Sequence, residues 1–214
     1  MQPATNNNGE ILNEFELIAR LSELDSAKNL ECDNTVLIGI GDDAAVVSTP
    51  ASQMLLTTDA IVDGVHFRSV DERWFDVGWK CAVSNLSDIA AMGGVPDHAL
   101  VTLGVPPGAS LETYADFYNG MNAAFSQFGG SIVGGDVVSS STMFVNLALT
   151  GHPSSDSFGE PITMRRTEAR AGDLVCVTGP LGSSAGGLKA LLNGDTNPSS
   201  TILIDRHYRP TPRI

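Results

Sequence analysis

Two long helical patterns, each closed by a pair of glycines, constrain the fold of this chain more than any other feature. Apolar residues recur at helical spacing over residues 72–92 and again over residues 111–128. Gly93-Gly94 ends the first pattern, and Gly129-Gly130 ends the second, which begins after the capping residue Ser110. An apolar, strand-like run follows each helix, so the two helices are expected to cover a sheet.

The remaining apolar runs are short and predict strands separated by polar or glycine-containing turns. Strands are predicted at residues 36–40, 44–48, 54–58, 61–67, 99–105, 131–133, 143–149 and 174–178, and further helices at residues 13–24 and after the glycines of residues 179–187, up to about residue 192. This order predicts an α+β fold, in which helices lie on one face of a mainly antiparallel sheet, as in ferredoxin-like domains.

The chain is predicted to hold one domain and the start of a second. Residues 1–150 contain both long helical patterns, whereas residues 152–161 are rich in proline, serine and glycine and suit a linker. After that segment, the few predicted elements do not complete a second layered domain. We therefore expect an N-terminal domain at residues 1–150, followed at residues 151–214 by a linker and the incomplete start of a C-terminal α+β domain.

The formal net charge of −13 argues against a nucleic-acid partner, which would need a basic surface. The charge is unevenly placed, because residues 1–150 carry a net charge of −14 and residues 151–214 carry +1. No basic start with a following apolar run indicates a signal peptide, and no apolar stretch is long enough to span a membrane. The three cysteines are widely spaced and form no CxxC pair, so we expect reduced thiols in a cytoplasmic protein.

Four aspartates stand beside glycine or hydroxyl residues, where predicted elements end. Each segment alone is also explained by an ordinary turn, strand end or helix surface. Together their oxygens are the ligands that magnesium prefers, and gathered carboxylates repel one another unless cations neutralise them. The four segments are Gly41-Asp42-Asp43, Thr57-Thr58-Asp59, Asn85-Leu86-Ser87-Asp88 and Gly134-Gly135-Asp136.

Common phosphate- and metal-binding motifs are absent from the sequence. It contains no G-x-x-x-x-G-K-[ST] loop and no D-x-[DN]-x-[DN]-G loop, which excludes P-loop enzymes and EF-hands. Gly39, Gly41 and Ala44 have the spacing of a dinucleotide-binding loop, but such a loop must open into a helix, and residues 44–48 favour a strand. Magnesium ions that bridge the aspartates to phosphates are therefore the favoured hypothesis.

These segments, in this order, resemble the thiamine-monophosphate kinases, within the superfamily of aminoimidazole ribonucleotide synthetase-like proteins. The resemblance extends over nearly the whole chain from about Asn13, and its most specific part combines Thr57-Thr58-Asp59, Val65-His66-Phe67 and residues 85–93. A later Asp-x-Ser-Asp-Gly segment of the family, which adds metal and nucleotide ligands, is not among these 214 residues. Further matching segments are residues 13–18, 39–46, 134–136, 177–188 and 207–213.

The resemblance implies that ATP phosphorylates thiamine phosphate to thiamine diphosphate with the help of magnesium. It implies a contact between His66 and thiamine phosphate. ATP would be contacted by Tyr118, Gly135, Asp136 and Arg166, where Arg165 is the alternative to Arg166 and Tyr118 is equally well explained as a core residue of its helix. Magnesium would be held by Asp43, Thr57, Thr58, Asp59, Asp88 and Asp136.

No catalytic side chain is predicted, because the nucleophile is an oxygen of the acceptor's own phosphate, which is largely ionised at neutral pH. The resemblance also implies a homodimer in which the sheets of two N-terminal domains pair, and the apolar strands at residues 99–105 and 143–149 favour a covered sheet. Two alternatives stay open: another ATP-using enzyme of the same superfamily, or, at this length, a non-catalytic dimerisation module.

Overall fold

The computed structural model describes residues 36–38, 42–49, 52–71, 73–108 and 110–214. The predicted helix at residues 13–24 lies outside the described residues, as do Gly39 and Gly41. The strands are β1 (Val36–Ile38), β2 (Ala45–Ser48), β3 (Gln53–Val62), β4 (Gly94–Val105), β5 (Ser131–Ser139), β6 (Phe144–Ser155) and β7 (Pro161–Ile162). The α-helices are α1 (Trp74–Ala91), α2 (Leu111–Phe128), α3 (Ser183–Leu192) and α4 (Pro198–Tyr208), and a short 3-10 helix spans Ser69–Asp71.

The main sheet has the strand order β1-β2-β3-β6-β4-β5, and β7 pairs with β6. Strands β4 and β5 are parallel, whereas the other pairs are antiparallel. Helix α2 connects β4 to β5, which is the crossover that two parallel neighbours require. The predicted α+β fold with a mainly antiparallel sheet is thereby confirmed.

Helices α1 and α2 cover one face of the sheet, and the core lies between them and the strands. Leu86 and Ile89 of α1 are completely buried in one cluster with Leu55 of β3 and Leu147 of β6. Burial of such apolar side chains is the main favourable contribution to folding. In the described part of the chain, no helix is long and apolar enough to cross a membrane.

Two glycines let α1 and α2 approach each other at backbone distance. A Cβ atom on Gly78 would lie 1.9 Å from the carbonyl oxygen of Phe117, and a Cβ on Gly120 would lie 1.9 Å from the carbonyl oxygen of Phe75. No other residue fits at either position without moving the helices apart. This contact sets the position of α1, which carries the predicted ligand Asp88.

Two of the predicted acids lie within strands rather than at strand ends. The structure has the single strand β3 where two strands were predicted, at residues 54–58 and 61–67. Asp59 therefore lies in the middle of a strand. Gly134-Gly135-Asp136, predicted as a turn, lies inside β5. A Cβ on Gly135 would meet the carbonyl oxygen of Val101 at 1.9 Å, so the close approach of β4 is the structural reason for this glycine.

The predicted linker at residues 152–161 is partly β-structure. Strand β6 continues to Ser155, and β7 pairs back with it. The strand predicted at residues 174–178 is absent, and Leu174 and Val175 are 90% and 98% exposed, because no described strand pairs with them. Helix α4 is missing from the sequence prediction, and the domain division after residue 150 stays a prediction.

The C-terminal end of α4 contacts the first half of α1. The indole Nε1 of Trp79 donates a hydrogen bond to the carbonyl oxygen of Pro210 at 2.8 Å. Arg209 forms an ion pair with the buried carboxylate of Asp76, which also pairs with Arg73. These contacts hold residues 207 and 208 close to α1, where they become part of a cavity wall.

Candidate functional site

The alternation of side chains along β3 places Thr57 and Asp59 on the face that α1 covers. Leu55 and Ile61, which flank them at the same two-residue period, are buried in the core. Thr58 points to the opposite face, where its hydroxyl donates to the carbonyl oxygen of Leu147 at 3.1 Å. The structure therefore separates the two neighbouring threonines that were predicted to act together.

Asp88 of α1 lies against this strand. The hydroxyl of Thr57 donates a hydrogen bond to Oδ2 of Asp88 at 2.8 Å, which joins two segments that are 31 residues apart in the chain. Asp88 is half-buried near the end of α1, next to the fully buried Ile89. The predicted proximity of these two polar segments is present in the structure.

The carboxylates of this region influence one another. Burial raises the pKa of Asp88 to about 6; the hydrogen bond from Thr57 opposes this shift, while the charges of Asp59 and Asp43 add to it. The positive charge of Arg166 lowers the pKa of Asp88 again by a smaller amount. We call Asp42, Asp43, Thr57, Asp59, Asp88 and Arg166 the acidic cluster.

Arg166 is the cation of the acidic cluster. Its guanidinium Nη2 forms an ion pair with Oδ1 of Asp43, and its backbone amide donates to Oδ2 of Asp42 at 3.3 Å. Arg165 instead faces Glu168, with 3.7 Å between Nη1 and Oε1. The geometry therefore favours Arg166 over Arg165 as the arginine of the site, and its role toward ATP stays a prediction.

Asp136 and Gly135 lie apart from the acidic cluster. The register pairs Asp136 with Thr102 of β4, so Asp136 is on the edge strand β5, three strands away from β3. Its Oδ1 accepts a hydrogen bond from the next backbone amide, that of Val137, at 2.9 Å. The predicted magnesium and ATP contacts of Asp136 and Gly135 are not assembled with the other residues here and stay predictions.

Tyr118 and His66 occupy two different environments. Tyr118 of α2 packs against the core and forms an edge-to-face contact with Phe117, 6.1 Å between ring centroids. His66 lies in the exposed turn after β3, where its Nδ1 accepts a hydrogen bond from the amide of Val62 at 3.1 Å. The nucleotide contact of Tyr118 and the substrate contact of His66 stay predictions.

His66 lines a cavity of about 230 Å³ beside the acidic cluster. The turn after β3 and the first half of α1 form one side of this cavity, and α3 with the end of α4 forms the other. Ile61, which also lines it, is two residues along β3 from Asp59. At about 3.3 Å per strand residue, the cavity begins roughly 7 Å from that aspartate.

The oxygen ligands of the acidic cluster fit magnesium better than a softer metal. Asp43, Thr57, Asp59 and Asp88 offer only carboxylate and hydroxyl oxygens, which are the ligands that hard cations take. Among the residues that the structure describes, no three His, Cys, Asp or Glu side chains are gathered closely enough to hold a metal ion. In this arrangement the guanidinium of Arg166 is the cation next to Asp43.

Two residues of the site are missing from the sequence prediction. Asp42 accepts a hydrogen bond from the backbone amide of Arg166, and its Oδ1 lies 3.9 Å from Nε of that side chain. The only sequence signal for this residue was its position beside Asp43. Lys80 lines the cavity with His66, but a single lysine in an amphipathic helix normally indicates a solvated face. Only the packing of α3 and α4 against α1 reveals that Lys80 is enclosed.

Comparison with known proteins places these residues in a family. The family described as "AIR synthase related protein, N-terminal domain" matches residues 41–152, which include all the predicted magnesium ligands. The chain belongs to this family. The family assignment and the fold agree with the expectation drawn from the sequence motifs.

Similar proteins within this family are thiamine-monophosphate kinases, which confirms the expected relationship. The chain is 36% identical to the thiamine-monophosphate kinase of Bacillus subtilis (strain 168) over 188 residues, which cover 85% of this chain and 56% of that protein. Identity to the enzyme of Aquifex aeolicus (strain VF5) is 38% over 179 residues, covering 82% and 55% respectively. The chain thus spans little more than half the length of these relatives.

The fold is also similar to a solved kinase structure. The structure named "AaThiL complexed with AMPPCP and TMP" matches with a TM-score of 0.81 and 35% sequence identity, over 94% of this chain and 60% of that one. The backbone similarity therefore extends beyond residues 41–152, the part that the family model matches.

Proposed function

We propose that this protein transfers a phosphoryl group from ATP to thiamine phosphate in the presence of magnesium, giving thiamine diphosphate. The observation that carries the proposal is the acidic cluster, where Thr57, Asp88 and Asp43 from three separate segments share one electrostatic environment. The similarity to thiamine-monophosphate kinases over more than four fifths of the chain supports this assignment of reaction and substrates. ATP and thiamine phosphate are accordingly proposed as its substrates.

The proposed magnesium ligands are those predicted from the sequence, of which Asp43, Thr57, Asp59 and Asp88 belong to the acidic cluster. When bound, magnesium neutralises charge on the phosphates and so reduces repulsion between the two polyanionic substrates. The hydrogen bond from Thr57 fixes one oxygen of Asp88 and leaves the other for a ligand. Because burial and neighbouring acids disfavour ionised Asp88, a cation at this position is electrostatically favoured.

Arg166 is proposed to change partners when the substrates bind. Without them, its guanidinium neutralises Asp43. A cation bound to Asp43 removes the reason for that ion pair, and the released guanidinium can then form bidentate hydrogen bonds with a phosphate. This exchange would couple nucleotide binding to occupation of the acidic cluster.

We also propose that the protein is a cytoplasmic homodimer. The face of the sheet opposite to α1 and α2 exposes Leu56, Leu100 and Val138, by 36%, 54% and 38%. Exposed apolar groups on one face of a sheet favour contact with a second sheet. The free thiols of Cys81 and Cys176 support a reducing compartment.

A coupled ADP-release assay tests the proposed reaction. Because the relatives are longer than this chain, turnover should be measured on the longest natural form of the protein, with thiamine phosphate, an aminoimidazole ribonucleotide precursor and selenide as competing acceptors. We expect ADP release only with thiamine phosphate and magnesium. Turnover with another acceptor, or none with thiamine phosphate, would contradict the proposal.

A matched variant pair makes the assay specific for the acidic cluster. Asp59→Asn should lower turnover at least about hundredfold, the usual loss when electrostatic stabilisation of a transition state is removed. Asp116→Asn, which removes an exposed acid on α2, should leave turnover unchanged. Full activity of a folded Asp59→Asn variant would show that Asp59 is an ordinary strand residue with no part in the reaction.

A further inference from the structure

The cavity next to the acidic cluster has an apolar wall and a small number of polar groups. Its apolar side chains come from the turn after β3, from α1 and from α3. A cavity of this composition suits an organic group with a polar end rather than a bare ion. The main apolar residues are Val65, Phe67, Val77, Leu188, Leu191 and Leu192.

Most charges that line this cavity are already neutralised. Arg68 forms two hydrogen bonds with Asp71, of 2.9 and 3.1 Å, and Asp76 is paired with Arg73. Arg209, from outside the cavity, is the second partner of Asp76. Neither carboxylate of the lining is therefore left to neutralise a further cation.

Among the described residues that line the cavity, Lys80 is the cation that remains. Among the described residues, no carboxylate forms an ion pair with it, although it is partly enclosed between α1 and the C-terminal helices. Burial lowers the pKa of Lys80, and the charge of Lys80 contributes, after burial, to a lowered pKa of His207. An unpaired, partly desolvated ammonium group is costly, and an anionic ligand would remove that cost.

His66 presents a further donor to the same space. The Nδ1 of His66 accepts a hydrogen bond from a backbone amide, so the proton of the neutral ring is on Nε2 and can be donated to a ligand. His207, whose Nδ1 lies 3.0 Å from the hydroxyl of Ser184, also lines the cavity. Lys80 and His66 therefore both offer hydrogen-bond donors to the cavity.

We infer that Lys80 binds the phosphate group of the acceptor substrate, next to the contact already expected from His66. The inference rests on the proposed function and adds to it the residue that recognises the phosphate. The acceptor's organic part lies against the apolar wall, and its phosphate lies between Lys80 and the acidic cluster, within reach of the transferred group. Specificity for a phosphorylated acceptor follows, because an unphosphorylated analogue leaves the ammonium group of Lys80 without a partner.

Calorimetric titration of the 214-residue protein tests this assignment. Thiamine phosphate, thiamine and inorganic phosphate are titrated into the wild-type protein and into Lys80→Met, Lys80→Arg and Lys189→Met. Lys189 is an exposed lysine of α3 outside the cavity lining and serves as the matched control. The complex of magnesium with AMPPCP, titrated into the same proteins, reports on the nucleotide site.

We expect Lys80→Met to lose at least about tenfold in affinity for thiamine phosphate, the loss of one charge-assisted hydrogen bond. Its affinity for thiamine and for magnesium–AMPPCP should not change. Lys80→Arg should recover much of the lost affinity, and Lys189→Met should behave as the wild type. A loss for thiamine as large as for thiamine phosphate would show that the substitution merely distorts the cavity and would overturn the inference.

The remaining outcomes separate the inference from the proposed function. Equal binding of thiamine phosphate by the wild type and Lys80→Met overturns the role of Lys80 but leaves the function intact. Binding of inorganic phosphate that depends on Lys80, without binding of thiamine phosphate, supports the anion site and contradicts the proposed substrate. If the wild type binds none of the three ligands, both are wrong.

Discussion

The carboxyl group of Asp88 carries the clearest electrostatic signature of the acidic cluster. Burial, reinforced by Asp59 and Asp43, raises its pKa from 3.8 to about 6. An acid with a raised pKa in the folded state adds stability below its unfolded pKa, and this contribution disappears as the pH rises through the folded pKa. Ionisation of Asp88 between pH 3.8 and about 6 therefore destabilises the protein when no cation is bound.

The variant Asp88→Asn tests this linkage, because asparagine keeps an acceptor for the Thr57 hydroxyl and removes the charge. Without magnesium, its free energy of unfolding should exceed that of the wild type above about pH 7, and the difference should vanish near pH 4. Urea unfolding at a series of pH values measures it. Asp116→Asn is the control and should show no such trend; a pH-independent difference for Asp88→Asn would contradict the account.

Arg166 and its neighbour Arg165 form a natural pair for a second test. Arg166 contacts Asp42 and Asp43, whereas Arg165 faces Glu168. We expect Arg166→Gln to weaken binding of magnesium–AMPPCP about tenfold or more, through loss of a charge-assisted contact to phosphate. Calorimetry should show no comparable loss of affinity for Arg165→Gln. Equal losses for the two variants would show that positive charge in general, rather than the position of Arg166, favours binding of the nucleotide.

At the level of single residues, the sequence predicts the kind of chemistry that a side chain offers better than it predicts which residues that side chain contacts. The carboxylate and hydroxyl segments around Asp43, Thr57 and Asp88 are recognisable because their oxygens stand at unusual positions in apolar patterns. The separation of Thr58 from Thr57 follows from strand alternation, once the strand is known to continue past Asp59. The enclosure of Lys80 depends on residues more than 100 positions away, which no local pattern contains.

Among the elements, the contact between α1 and α2 is sensitive to a single added methyl group. A Cβ on Gly120 would overlap the carbonyl oxygen of Phe75, which belongs to a helix backbone and cannot rotate away. Gly120→Ala should therefore cost about 1–3 kcal/mol of unfolding free energy, despite the higher helix propensity of alanine. Chemical denaturation measures this cost.

The exposed neighbour Asn119 supplies the control for this prediction. Asn119→Ala changes the same turn of α2 on its solvent side and should alter stability by less than about 0.5 kcal/mol. If Gly120→Ala were as stable as the wild type, the two helices would have to pack less closely than described.

Helix α2 shows why some elements are predictable from the sequence. Its local signals agree with its final structure: Ser110 accepts a hydrogen bond from the Thr113 amide, and the helix ends at Phe128 before Gly129. The strand predicted at residues 174–178 fails because a strand needs a partner, and local apolarity does not supply one. Strand β5 is longer than predicted. The sequence pattern indicates a turn at its glycines, but in the structure these glycines pair with β4.

For the whole molecule, the open face of the sheet leads to a prediction about assembly. Leu100 is 54% exposed on this face, and its strand β4 lies between β6 and β5. If two copies pair here, Leu100→Asp should give a monomer at concentrations where the wild type is a dimer. Light scattering over a dilution series measures the mass.

Leu111→Asp is the matched control, because Leu111 is also exposed but begins α2, away from the open face. It should leave the mass unchanged. A wild-type protein that is monomeric at micromolar concentration would rule out this dimer, and the sheet would then have to be covered in another way.

The central claim is that the acidic cluster binds nucleotide through magnesium. It is tested most directly by calorimetric titration of AMPPCP into the 214-residue protein, once with magnesium and once with EDTA. The account predicts binding only with magnesium, since the carboxylates of Asp43, Asp59 and Asp88 repel phosphates unless a cation lies between them. Equal affinity in the presence of EDTA would contradict it.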